Sequence, residues 1–193
     1  MRAVIAAPLV CAMVFGLPAC NENSGGLPEV ADGAGQTSEP PAAQASNWSV
    51  RMEGAGPIRF GMTLAEARDA AHDSLPVSAV SDSCGYVTPR SAPAGLSFMT
   101  EAGRVVRVDV TGPGAATDRG ASVGLSEAAI RRLYPDSIVV RPHKYEPGSR
   151  YLIVVPLSQA DSLHRLVFEL AGDTVSRFRA GLRPAAEYVE GCG

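Results

Sequence analysis

Two stretches of this chain repeat one another, and that constrains its fold more than any other feature. Phe60-Gly61-Met62-Thr63 precedes a helix-like run, Leu64 to His72, and Val123-Gly124-Leu125-Ser126 precedes another, Glu127 to Tyr134, at an offset of 63. Leu96, Phe98, Val105, Arg107 and Val108 correspond to Leu166, Phe168, Val175, Arg177 and Phe178 at an offset of 70, and Tyr86-Val87-Thr88-Pro89 resembles Ile153-Val154-Val155-Pro156 at 67. A common order with slowly growing offsets is the mark of a duplicated unit with small insertions in its second copy.

Each unit reads as a helix followed by an antiparallel meander. Thr63 with Glu66 three residues later is a capping box, and Leu64, Ala67, Ala71 and Leu75 fall on one helical face. Ser126 opens the second helix with Glu127 in its first turn, Ile130, Leu133 and Tyr134 form its apolar stripe, and Pro135 stops it. Strand signals cover Gly95 to Thr100, Arg104 to Thr111, Ile138 to Arg141, Arg150 to Val155, Arg165 to Leu170 and Thr174 to Ala180. The short turns between them demand antiparallel pairing. The expectation is an α+β class: two tandem repeats, residues 48–117 and 118–193, each a helix packed on a three- to four-stranded antiparallel sheet.

Alternation then assigns faces. Leu96, Phe98, Val106, Val108 and Val110 share one face, as do Leu166, Phe168, Leu170, Ser176, Phe178 and Ala180. The opposite face carries Ser97, Met99, Arg107 and Asp109, then Arg165, Val167, Glu169, Arg177 and Arg179. Arg107, Arg165, Arg177 and Arg179 form a candidate partner-binding face, because arginine makes bidentate contacts with carboxylates. The alternative is cross-strand ion pairing on a wet surface. A second candidate is the Pro-Gly hairpin tip from Arg141 to Tyr151, with His143, Lys144 and Tyr145 at its centre.

The first 47 residues have a different character. One cation, Arg2, precedes an uncharged apolar stretch ending in small residues, the layout of a secretory signal peptide over residues 1–19. Leu17-Pro18-Ala19-Cys20 resembles the bacterial lipobox, which implies cleavage after Ala19 and lipid attachment at Cys20, hence a bilayer partner through the acylated cysteine. An uncleaved anchor helix is the alternative. Residues 20–47 are then a disordered acidic tether, rich in Gly, Pro, Ala and Ser, with Glu22, Glu29, Asp32 and Glu39 and no cation. Its root-mean-square span is about 26–31 Å. No Asp follows Cys20, which favours delivery to the outer membrane facing the periplasm.

The net charge of −3, from 17 basic and 20 acidic residues, belongs to that tether. From Trp48 onward the chain holds 16 of each sign. Such a balance excludes an electrostatic nucleic-acid binder. Of four cysteines, Cys11 leaves with the signal and Cys20 takes lipid. Cys84 and Cys192 remain, and in an oxidising compartment they are expected to form one disulfide; two free thiols is the rival reading.

Chemistry-bearing motifs are missing from the sequence. His72, His143 and His164 lack metal-ligand spacing, and no nucleophile elbow, phosphate loop or zinc motif occurs. The expectation is no catalytic residue, no metal and no cofactor. Gly61-Met62-Thr63-x-x-Glu66-Ala67 opening a helix before antiparallel strands resembles the small SmpA/OmlA-type lipoproteins of outer-membrane barrel assembly. The tandem arrangement is similar to β-lactamase inhibitor protein, whose paired repeats grip a partner. Those resemblances imply a membrane-anchored, non-enzymatic protein-binding or scaffolding lipoprotein with an unidentified envelope protein as partner. The competing expectation is an envelope hydrolase with an unrecognised site.

Overall fold

The computed structural model describes residues 47–79 and 83–192, all within one compact unit, Glu39–Gly193. The expected signal peptide, Cys20 and the expected tether up to residue 46 lie outside the described residues. Three two-residue strands, β1 (Val50–Arg51), β2 (Gly54–Ala55) and β3 (Ile58–Arg59), form a small sheet. Helix α1 (Leu64–Ala71) leads to β4 (Val77–Ala79), β5 (Cys84–Val87), β6 (Leu96–Glu101) and β7 (Arg104–Val110). Helix α2 (Glu127–Leu133) leads to β8 (Ile138–Pro142), β9 (Arg150–Val154), β10 (His164–Ala171) and β11 (Thr174–Leu182). Single 3-10 turns occur at Gln159–Asp161 and Ala185–Glu187.

The expected α+β class with two tandem helix-on-sheet repeats is overturned. The fold is mainly β, with two helices of only eight and seven residues. Strands β4 to β11 form one continuous antiparallel sheet in the order β4-β5-β6-β7-β11-β10-β9-β8. The physical reason is the β7–β11 ladder, in which Phe178 pairs with Val110, Arg179 with Asp109, Ala180 with Val108 and Gly181 with Arg107. Gly181 admits this approach: a Cβ there would lie 2.7 Å from the Val106 carbonyl oxygen and 3.0 Å from the Arg107 Cα.

The helices form because their ends are satisfied locally. At α1 the Glu66 amide donates to the Thr63 hydroxyl at 3.2 Å, and the Thr63 amide donates back to the Glu66 carboxylate at 2.8 Å. Those bonds hold the Glu66 carboxyl below its usual range. At α2 the Ala129 amide donates to the Ser126 hydroxyl at 3.3 Å, and Glu127 pairs with Arg131 and Arg150. Both helices pack on the face that carries the main core, around Phe98, Phe168, Phe178, Leu152 and Ile130, all with negligible exposure.

Two β-bulges alter the expected alternation. Thr100 pairs with Val105 although Met99 pairs with Arg107, so Val106 is the extra residue and Val105 enters the core. Likewise Leu170 pairs with Val175 while Glu169 pairs with Arg177, leaving Ser176 bulged and Val175 buried. A bulge puts two residues opposite one and resets which side chain faces inward. Strict period-two counting assigned Val106 and Ser176 to the core for that reason.

Part of the other face of the sheet is covered by the chain's own C-terminal strap, residues 183–192, which packs on β7, β10 and β11. The strap is fastened by the Cys84–Cys192 disulfide, which closes a sequence separation of 108 residues. Gly191 sits beside it at φ +70, where a Cβ would meet the Tyr86 hydroxyl at 2.4 Å. Replacing both cysteines with alanine, or reducing the native bond, should lower the unfolding free energy by about 2–5 kcal/mol. Urea unfolding with and without reductant measures this, and hydrogen exchange should rise first in residues 183–192.

Candidate functional site

The sequence placed four arginines on one sheet face; the structure shows what they touch. Arg107, on β7, donates from Nε to Asp109 at 2.9 Å, from Nη1 to the Ala185 and Tyr188 carbonyls at 2.8 and 3.3 Å, and from Nη2 to the Tyr86 hydroxyl at 2.9 Å. Arg179, on β11, donates from Nε to the Ala186 carbonyl at 2.8 Å and from Nη1 to Glu169 at 3.4 Å. Both arginines therefore hold the strap to the sheet. Their exposures are 3% and 5%, so the expected wet arginine face is instead an internal layer. Arg165 binds the Ser162 and His164 carbonyls and reaches Glu187 at 3.5 Å. Arg177 is the exception, pairing with Glu169 at 2.9 Å while 55% exposed.

Glu169 is the hub of this layer. One carboxylate oxygen meets Arg177 and His143, the other Arg179. The amides of Tyr145 and Glu146 donate to His143 Nδ1 at 3.1 and 3.0 Å, so Nδ1 is the unprotonated nitrogen. The ring proton then sits on Nε2, directed at Glu169 3.2 Å away. The imidazole stacks on Tyr151 with ring centres 4.7 Å apart, and the Arg179 guanidinium lies 5.6 Å from the same ring. With both nitrogens engaged, His143 ties the hairpin loop to Glu169. Burial pushes the Asp109 carboxyl up, against the pull of Arg107. Burial also pulls the Arg179 guanidinium down, and Arg107 adds to that.

Beyond this layer the surface changes at the β8 end. Lys144 and Tyr145 face solvent, Lys144 bridging to Glu190 at 2.9 Å and lying 4.9 Å from the Tyr145 ring centre. Strand β8 is the outermost strand of the large sheet. The bonds from the Val155 amide to Ser137 and from the His143 amide to Ser149 set the phase of its ladder. Alternation then turns the Ile138 and Val140 amides away from β9, at the free edge, and puts Pro142, which has no amide hydrogen, at the next outward position. Val139 and Val140 are 47% and 45% exposed.

Two pockets flank these features. One, about 350 Å³, is lined by Met52, Tyr134, Val154, Pro156, Leu157 and Leu166 among others; burial there pushes the Tyr134 phenol up to about 12. The other, about 170 Å³, opens between the hairpin loop and the strap. Among the described residues no group of three or more His, Cys, Asp or Glu side chains is placed to hold a metal ion, and no helix is long and apolar enough to cross a membrane.

The structure thus gathers Arg107, Arg177, Arg179 and His143 around Asp109 and Glu169, and leaves Lys144 and Tyr145 outside. Sequence reasoning placed Tyr151 at the end of the hairpin tip and not beneath the loop, and it missed Tyr86, Glu187 and the strap. Only the proximity of Cys192 to the chain end signalled that something must lie over the sheet.

No protein-family profile matches the chain, and no curated protein matches it. Among solved structures it is similar to an extracellular protein containing a SCP domain from Bacillus anthracis str. Ames, at 9% identity over 77% of this chain, with a TM-score of 0.41. The chain spans about half the length of that protein, 48%. A likeness of that degree carries no argument about fold or function.

Arg179 and Arg177 differ in burial while sharing Glu169, which separates structural from surface roles. Arg179→Met should cost roughly 3 kcal/mol or more, because it strips a buried carboxylate of one cation and the strap of one bond. Arg177→Met should cost less than about 1 kcal/mol. Chemical denaturation of the two variants checks the contrast.

Proposed function

We propose that this chain is an exported, non-enzymatic protein-binding module of the cell envelope, anchored through lipid on Cys20 at the outer membrane and facing the periplasm. Its contact surface is the free edge of β8 together with the loop that carries Lys144 and Tyr145. One observation carries the reading: an outermost strand whose outward amides have no partner among the described residues and two exposed valines, Val139 and Val140, next to a 57% exposed tyrosine. A free edge is a template for an added strand, with main-chain bonds giving affinity and side chains giving specificity. Pro142 ends the edge and limits indiscriminate pairing. The Cys84–Cys192 disulfide supports export, since such bonds persist in oxidising compartments. The acidic tether would give the globule room to reach a partner from the membrane.

A photo-crosslinking residue placed at Val139 or Tyr145 in the intact precursor should yield one discrete protein adduct in cells, and the same residue at exposed Arg68 on α1 should not. Val140→Lys should reduce the adduct at least about fivefold without changing thermal unfolding. Equal adducts from all three positions, or none from the edge, would defeat the reading. Cys20→Ser should move the protein from the membrane fraction to the soluble one.

A further inference from the structure

We propose that the slot between the hairpin loop and the C-terminal strap is a binding site for a small apolar monocarboxylate. This goes beyond the edge-strand reading and stands without it. The slot measures about 170 Å³. That is slightly larger than a 150 Å³ cavity known to accept benzene, so a ring or a branched aliphatic group of that size fits. Its floor is apolar: Ile153 and Val167 come from neighbouring strands, and Val189 closes over them from the strap.

Its charge is one-sided. Arg141, Lys144 and Arg179 line it, against one acid, Glu187. Arg183 at 3.0 Å and Arg165 at 3.5 Å meet one oxygen of that acid, and Arg141 reaches the other only at 3.7 Å while more than half exposed, a weak pairing that leaves its guanidinium open to a second anion. Arg179 commits Nε and Nη1 to protein acceptors and makes no hydrogen bond from Nη2 among the described residues. Lys144 stands at the mouth, bridged to an exposed glutamate that water can replace as a partner.

A second, independent observation comes from the wall. Tyr151 is 5% exposed and lines the slot, yet among the described residues its buried hydroxyl donates to no acceptor, since the neighbouring Lys144 amide is itself a donor. A buried hydroxyl without a partner is uncommon, and each one calls for an explanation. A carboxylate drawn to Lys144 and Arg141 meets the wall that Tyr151 forms, and a shift of that ring, whose hydroxyl is closed to solvent, gives the hydroxyl the acceptor it lacks. The apolar remainder of the ligand then covers Ile153 and Val167. A neutral ligand would gain the floor but not the three cations, and a dianion would be over-solvated for so apolar a floor.

The same chemistry is offered by a free acid and by the C-terminal residue of a peptide. Calorimetric titration of the disulfide-intact chain with benzoate, with benzamide, and with a short peptide ending in phenylalanine, as free acid and as amide, separates the cases. Saturable 1:1 binding of benzoate or of the peptide acid, at least about tenfold tighter than its uncharged amide, is expected. Tighter benzoate assigns a free acid; tighter peptide acid assigns a chain terminus. Lys144→Gln with Arg141→Gln should weaken the preferred ligand at least about fivefold at unchanged unfolding temperature, and Tyr151→Phe should weaken it with the fold retained. No saturation by about 20 mM of either acid, equal affinity for acid and amide, or full affinity in the Lys144/Arg141 variant overturns the site.

Discussion

The ladder between β7 and β11 is the constraint on which the rest of the structure depends. It joins a meander built from residues 77–110 to one built from residues 138–182, and turns two small open sheets into one of eight strands. Its register also places the charges, because Arg179 falls opposite Asp109 and Gly181 opposite Arg107. A slip of one residue would exchange the two faces of β11, moving Phe178 and Ala180 out of the core and the arginines into it. Gly181 is therefore a packing requirement at the join, since any side chain there would strike the β7 backbone.

Once those arginines are set side by side, the face they occupy cannot be left half-wet. Arg107 and Arg179 repel one another and lose water beneath the strap, so their five-donor guanidinium groups need acceptors in fixed positions. Asp109, Glu169 and the carbonyls of Ala185, Ala186 and Tyr188 supply them. The strap buries Ala185 and Ala186 and packs Val189 on the sheet, and it is held further by these bonds and by the Cys84–Cys192 link. The arginines thus fold the C-terminal segment, and the segment in turn keeps them dry. Ion pairs of this kind add little net stability, but removing one member is costly, because it leaves an uncompensated buried charge.

Much of the local structure was legible in the sequence. The capping box at Thr63 and Glu66, the Ser126 cap and the six strand segments from residue 95 onward all rest on interactions between near neighbours, and each is present. What failed was the step from local to global. The α+β expectation treated each meander as a sheet under its own helix, and nothing in residue spacing announced that β7 would pair with β11. The bulges at Val106 and Ser176 were equally invisible, because a bulge adds a residue without altering the hydrophobic composition of the strand. Among the site residues, Arg107 and Arg179 were found by alternation, but their burial depends on residues 183–192, a segment with no periodicity. Tyr86 gave no signal, since an aromatic residue on a strand is ordinary in any position, and Tyr151 was read as part of the exposed hairpin although it is buried.

The burial of the arginines also decides where recognition can occur. An exposed guanidinium row would favour acidic partners and make binding sensitive to salt. Here Arg107 and Arg179 are spent on the chain's own carbonyls and carboxylates, and the overall balance from Trp48 onward is neutral. The β8 end still offers main-chain donors and acceptors, two valines, a tyrosine, and a slot with three cations around an apolar floor. Hydrogen bonding along an edge is indifferent to partner charge, whereas the slot selects one anionic group of limited size. The two features abut at Arg141 and Pro142, which belong to both β8 and the slot lining. An extended segment laid along β8 would pass the mouth of the slot, so the free edge can supply affinity while the slot reads a single terminal or small acidic group.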